Sequence, residues 1–192
     1  MSEGRPFLRS EIERMWRVSD QLCTAHAAMR DRFSNRQLFT DITVLLLAAW
    51  TSAMGFVDPR LVPWLTPPHL DGQLWIGLLG SLTFGLTLVQ FKADWRGRSE
   101  AHQRSFSIYA EVKREAGHLL ADTTEVSARD FQRLADKYHM ASEMGTGIPE
   151  KNFLALKRRH TMKVAVSKAL DEKPGAAIWL TKLKLVCRDN LK

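Results

Sequence analysis

The chain is poor in cysteine and tyrosine, with two of each in 192 residues. Cys23 and Cys187 are too far apart for a Cys-x-x-Cys pair or a Cys/His ligand set, so neither a disulfide framework nor a structural zinc site is read from spacing. Reduced thiols in a reducing compartment are the expectation. Also missing are a P-loop, a GxSxG elbow, an HExxH helix and a Gly-rich dinucleotide turn. The six histidines (His26, His69, His102, His118, His139 and His160) never recur at metal-ligand spacing. Glu115 with His118 is a pair of the kind that charged helices often carry. The expectation is a protein that is not an enzyme, with no catalytic residues, no metal and no cofactor. A signal peptide is not expected, because the first forty residues mix both charge signs and lack an apolar core of about 7–15 residues.

Charge is the most unevenly withheld property. Net charge of +7, a pI of 9.7 and a mean hydropathy of -0.23 describe a small basic soluble protein. Yet from residue 42 to residue 91 only Asp58, Arg60 and Asp71 are charged. The average therefore covers two unlike parts, and neither has the composition of a disordered chain.

Residues 42–57 (ITVLLLAAWTSAMGFV) and 72–91 (GQLWIGLLGSLTFGLTLVQF) carry no charge at all. As helices they reach roughly 24 and 30 Å, so the second suffices for a bilayer core and the first does so once residues 38–41 join it or the bilayer thins locally. The intervening DPRLVPWLTPPHLD holds Pro59, Pro63, Pro67 and Pro68, which forbid a continuous helix. A hairpin with spans at about 38–57 and 72–91 is predicted. Arg30, Arg32 and Arg36 precede it and Lys92, Arg96, Arg98 and Arg104 follow it, whereas the connection has only Arg60. Positive flanks stay on the cytoplasmic side, so both termini are predicted to be cytoplasmic. Trp64 and Trp75 fall near the outer interface and Trp95 near the inner one; Trp50 falls mid-span and fits no aromatic belt. Two buried core helices of a soluble bundle are the competing reading of the same segments.

Small residues recur every four positions in both spans: Gly77, Ser81 and Gly85 in the second, Ala48 with Ser52 and Ala49 with Ala53 in the first. This spacing lets helix backbones approach closely in lipid, either within one chain or between copies. Thr83, Thr87, Ser52 and Gln90 are the candidates to line a water-filled path in an oligomer, although such hydroxyls also bond back to their own helix.

The flanking parts are read as helical too. Leu8, Ile12, Met15, Ser19, Leu22, His26, Met29 and Phe33 alternate steps of four and three, an amphipathic stripe that Ser19 and His26 interrupt. Whether Ser34-Asn35 breaks that helix is open. Trp95, Phe106, Tyr109, Val112, Ala116 and Leu119 continue a helical spacing past the second span, with Gly97 as its weak point. Ser127 to Asp130 resembles a capping box that starts a helix with the face Phe131, Leu134, Ala135 and Tyr138, ended by Gly145 and Gly147. Pro149 suits the first turn of a helix carrying Phe153, Leu156, His160 and Val164, which stops before Pro174. A last helix is expected over residues 176–191. No strand pattern competes. The fold class is all-α: residues 1–41 an N-terminal cytoplasmic helix, 42–91 a transmembrane hairpin, 92–192 a cytoplasmic helical region.

Residues 92–192 hold twenty Lys/Arg against thirteen Asp/Glu, so the positive excess lies outside the hairpin. Its densest cluster, Lys157, Arg158, Arg159 and Lys163, either meets anionic headgroups or a nucleic-acid partner, or is a solvated helix face that helps fix topology.

The stretch IPEKNFLALKRRHTMKVAVSKAL over residues 148–170, with Ile148, Pro149, Phe153, Leu156, Lys157 and His160 as matching positions, resembles the SLATT family, the SMODS and SLOG-associating two-transmembrane effectors of bacteria. The order of N-terminal helix, hairpin and cytoplasmic helices is similar over most of the chain. The resemblance implies an effector of the inner membrane in antiphage or nucleotide-signalling conflict systems, which oligomerises to perforate or disrupt the bilayer after an upstream sensor or nucleotide second messenger triggers it. An alternative expectation is a membrane scaffold that holds a soluble partner such as a reverse transcriptase or a nucleic-acid complex.

Overall fold

A computed structural model of the chain describes residues 4–58, 60–122 and 126–190. Pro59 of the connection and Leu191, where the last helix was expected to end, lie outside the described residues. The described residues are helical throughout, with no strand: α1 (Gly4–Phe56), α2 (Val62–Leu65), α3 (Gly72–Ala93), α4 (Trp95–Ala121), α5 (Ala128–Met144), α6 (Glu150–Glu172) and α7 (Ile178–Asn190). Two of the helical stretches are long and apolar enough to cross a membrane, one ending at Phe56 and one starting at Gly72.

Ser34-Asn35 does not interrupt α1. Two polar residues without Gly or Pro cost a helix only a fraction of a kcal/mol each, roughly 0.5 relative to Ala, so the flanking Arg30, Arg32, Arg36 and Gln37 carry it through. Thr40 and Thr43 donate their hydroxyls to the carbonyls of Arg36 and Phe39 at 2.9 and 2.8 Å, which satisfies them inside the helix.

The helix after the second apolar segment is interrupted, but at Asp94 and not at Gly97. Asp94 takes a left-handed conformation (φ 43°, ψ 52°), ending α3. Its carboxylate accepts the Gly97 N–H at 3.1 Å and so caps the start of α4. A Cβ at Gly97 would collide with that carboxylate, so a side chain there would displace the cap. Gly72 serves a close approach as well, since a Cβ would sit 2.5 Å from Val62 Cγ1 at the junction of α2 and α3. Asp71 caps α3 by accepting the Gln73 N–H at 2.7 Å.

The chain divides into two compact units, one of residues Met1–Met29 with Ala101–Lys192 and one of Arg30–Glu100. The helices α1 and α4 each contribute to both units. In the first unit α1 runs antiparallel to α4, as the pairs Arg9 to the Leu120 carbonyl (3.1 Å) and Lys113 to Asp20 (2.7 Å) show. Its core joins Ile12, Met15 and Cys23 of α1, Tyr109, Val112 and Ala116 of α4, and Leu134 and Ala141 of α5. Ser127 caps α5 by accepting the Asp130 N–H at 3.1 Å, and Gly145 ends it, as the sequence predicts. Glu115 bonds across to α5, to Arg133 at 2.9 Å and Lys137 at 2.7 Å, so the expected Glu115–His118 pairing is replaced by an interhelical one. The Lys137 hydrogen bond, the largest influence, outweighs the opposing effect of burial and, with Arg133 adding to it, holds the Glu115 carboxyl below its usual range.

The face expected for α6 is rotated. Phe153 and Val164 are 45% and 37% exposed, while Leu156 and His160 are half-buried and Val166 is buried. The polar contacts of His160 to α1, described below, fix that rotation, and apolar spacing alone could not. Pro149 lies one position outside the first turn, at the position before Glu150, with no side-chain capping bond to α6.

The buried Ser19 hydroxyl has no hydrogen-bond partner among the described residues. Ser19→Ala should therefore raise thermal stability in mild detergent by about 1 kcal/mol, whereas Leu134→Ala, which empties a fully buried site, should lower it by about 2–5 kcal/mol. Circular dichroism melts of both variants check the pair of signs.

Candidate functional site

Two places in the molecule concentrate functional potential, one in each unit. In the unit Arg30–Glu100, α1 and α3 are antiparallel and linked near one end by Gln90, which donates its amide to the Asp41 carboxylate. Ser99 donates to the Arg30 carbonyl at 3.1 Å, and the Arg98 guanidinium lies 6.0 Å from the Phe33 ring. Among the described residues of this unit, buried positions are few: Thr40, Met54 and Leu79.

Ala48 and Ser52 of α1 and Thr83 and Thr87 of α3 come together along a shallow groove that also exposes Gly80 and Phe84. The threonine hydroxyls are turned back on their own helix: Thr83 donates to the Leu79 carbonyl at 2.8 Å and Thr87 to that of Thr83 at 2.9 Å. The groove thus offers small surfaces and oxygen lone pairs, with its threonine hydroxyl protons already committed. The other small-residue stripe is not in the groove. Gly77 and Ser81 are exposed, and a Cβ at Gly77 or Gly85 would meet nothing within 4 Å. Gln90, a candidate pore-lining residue, bonds to Asp41, a partner that sequence spacing does not reveal.

In the other unit, α1 and α4 bring two histidines together in the core. His26 and His102 are 2% and 3% exposed, and their Nδ1 atoms are 3.0 Å apart. That distance requires one donor and one acceptor, which two neutral rings of opposite tautomer supply. Tyr109 stacks on His26 with ring centroids 5.6 Å apart and planes at 14°. Burial foremost, with His102 adding to it, pushes His26 down to about 4, and burial also lowers His102. Burial raises the Cys23 thiol to about 11, so it is a packing residue and a poor nucleophile.

Of the six motif positions over residues 148–170, His160 is the best anchored: its Nδ1 is 3.0 Å from Thr24 Oγ1 and its Nε2 3.9 Å from the Asp20 carboxylate. Ile148 and Leu156 are half-buried, Pro149 is exposed at the start of α6, and Phe153 and Lys157 are exposed. Lys157, Arg158, Arg159 and Lys163 are all exposed, but consecutive helical residues point about 100° apart, so they do not make one face. Arg158 borders a hollow between α6 and α7. Among the described residues, no group of three or more His, Cys, Asp or Glu side chains could hold a metal ion.

The histidine pair was hidden from sequence reasoning, which treated His26 as an interruption of a stripe. The one available signal was that His102 falls on the same helical spacing as Tyr109, Val112 and Ala116. Compared with protein-family models, curated proteins and solved structures, the chain gives no match.

The folded His26 titrates below its unfolded value near 6.5. Its contribution is full above pH 6.5 and is lost as pH falls from there through about 4, amounting to about 3 kcal/mol for His26 alone. Unfolding midpoints measured in detergent across that range should fall with acidification, and the double variant His26→Gln/His102→Gln should flatten the profile. A wild-type profile that is already flat would contradict the buried neutral pair.

Proposed function

We propose that the chain is a membrane effector of a bacterial antiphage or nucleotide-signalling conflict system, in which α1 and α3 form a transmembrane hairpin and copies assemble to perforate or disrupt the inner membrane on a trigger. The observation that carries the membrane part is the surface of the unit Arg30–Glu100. Only 11% and 6% of the residues in its two most apolar windows are buried, where the core helix of a soluble bundle would be mostly covered. Phe39, Leu45, Leu46, Phe84 and Phe91 are between 66% and 86% exposed. A soluble monomer seldom leaves so much contiguous apolar surface in water. The Arg and Lys residues flanking both ends of the hairpin set its orientation, with both termini cytoplasmic.

The effector part rests on the resemblance of residues 148–170 and of the element order to SLATT proteins. Two helices cannot enclose a pore, so disruption requires several copies and a change in their packing. Small residues on two sides of the hairpin, the groove at Ala48 and Ser52 and the outward stripe at Gly77 and Gly85, supply surfaces for close helix contact between copies. The trigger is assigned to the unit that contains α5, α6 and α7, which acts through a sensor or nucleotide second messenger. Expression in bacteria with a potential-sensitive dye tests this reading. Depolarisation and growth arrest are expected under an activating trigger; unchanged potential, with the protein confirmed in the membrane, would exclude it.

A second reading, a membrane scaffold for a reverse transcriptase or nucleic-acid complex, is favoured by the exposure of Lys157, Arg158, Arg159 and Lys163. Replacing all four by Gln should then abolish recovery of the partner with the detergent-solubilised protein at moderate salt. Unchanged recovery would remove this reading.

A further inference from the structure

The last helix presents two different sides. Leu185 and Val186 of α7 border the hollow shared with Arg158, Met162 and Ala165 of α6. Next to that border, starting beside Val186 and turning away from it, Trp179, Leu183 and Cys187 follow one another at steps of four residues and are uncovered, Trp179 at 70% and Leu183 at 54%. Lys182 and Lys184 flank this strip and are exposed, and the one carboxylate of the helix, Asp189, is taken up by Arg188 at 3.0 Å. A second copy of the same strip is disfavoured as its cover, since pairing would bring the flanking lysines together. Nucleic acid is disfavoured too, because it would leave an indole and a leucine with no polar match. An apolar strip with a tryptophan, edged by cations, fits the headgroup boundary of an anionic bilayer.

The geometry points to α7 as an interfacial helix that lays Trp179, Leu183 and Cys187 on an anionic lipid surface, with Lys182 and Lys184 at the phosphates. This inference rests on the membrane reading above, since the hairpin supplies the tether. Each lysine contributes about fivefold to partitioning onto such a surface, and the two act together.

The test uses the full chain in proteoliposomes of phosphatidylcholine, alone or in an equal-part mixture with phosphatidylglycerol, with an environment-sensitive fluorophore on Cys187. Cys23 is buried with its thiol pushed up to about 11 and stays unlabelled. A parallel sample with Cys187→Ser carries the label on Ser81→Cys, on the outward side of α3, and is read with lipid spin-labelled deep in its acyl chain. Headgroup-level spin-labelled lipid should quench the Cys187 probe in the anionic vesicles, weakly in phosphatidylcholine alone, and weakly again after Lys182→Gln/Lys184→Gln. A quenched Ser81→Cys probe beside an unquenched Cys187 probe overturns the assignment of α7 and leaves the hairpin standing. No quenching of either overturns both. Quenching of Cys187 that ignores phosphatidylglycerol and the lysines overturns the anionic contact, and a probe shielded in detergent until the protein is diluted shows that a second copy covers the strip instead.

Discussion

The apolar surface that the unit Arg30–Glu100 leaves uncovered is the constraint on which the rest depends. Burying apolar area is worth about 25 cal/mol per Å², so side chains such as Phe39, Leu45, Phe84 and Phe91 standing in water would forgo much of the stabilisation a fold of this size has available. In hydrocarbon the same surface needs no partner, and an α-helix satisfies every backbone group within itself. The remaining features of this unit agree with that solvent. Threonine hydroxyls bond to their own helices, Gln90 and Asp41 satisfy each other, and small residues are left on two sides for other helices to approach.

The other unit is organised around a covered interior. It is held by an apolar core across α1, α4 and α5 and by ion pairs such as Lys113–Asp20 and Glu115–Lys137. It also keeps a polar element inside: the His26–His102 pair stacked on Tyr109. Two neutral imidazoles satisfy one another only if both residues are present and in register, so the pair specifies how α1 meets α4 more narrowly than apolar contact would.

Much of this was legible in the sequence, for identifiable reasons. The apolar segments and their proline-rich connection, the Ser127 cap and the Gly145 stop are local features, and local chemistry decides them. The stripe containing Ile12, Met15, Tyr109, Val112 and Ala116 was readable because apolar periodicity reports burial directly. What sequence could not show depended on partners distant along the chain. His26 finds His102, Gln90 finds Asp41, and His160 finds Thr24, each a polar contact that periodicity counts as a defect in a stripe. The rotation of α6, which exposes Phe153 and Val164, follows from one of those contacts. The helix break falls at Asp94 because a carboxylate that caps the next helix outweighs the weaker propensity of Gly97. The small-residue stripes were visible as patterns, but only the three-dimensional arrangement separates the groove at Ala48 and Ser52 from the outward face at Gly77.

The most direct test of the central claim is the sidedness of the connection between α1 and α3. His69 in that connection is exposed, as is Cys187 in α7. In intact cells carrying His69→Cys, a membrane-impermeant maleimide should label residue 69 and not Cys187, and lysis should make Cys187 reactive while the protein resists extraction by alkaline carbonate. Release of the protein by carbonate, with residue 69 unlabelled until the cells are broken, would contradict the account.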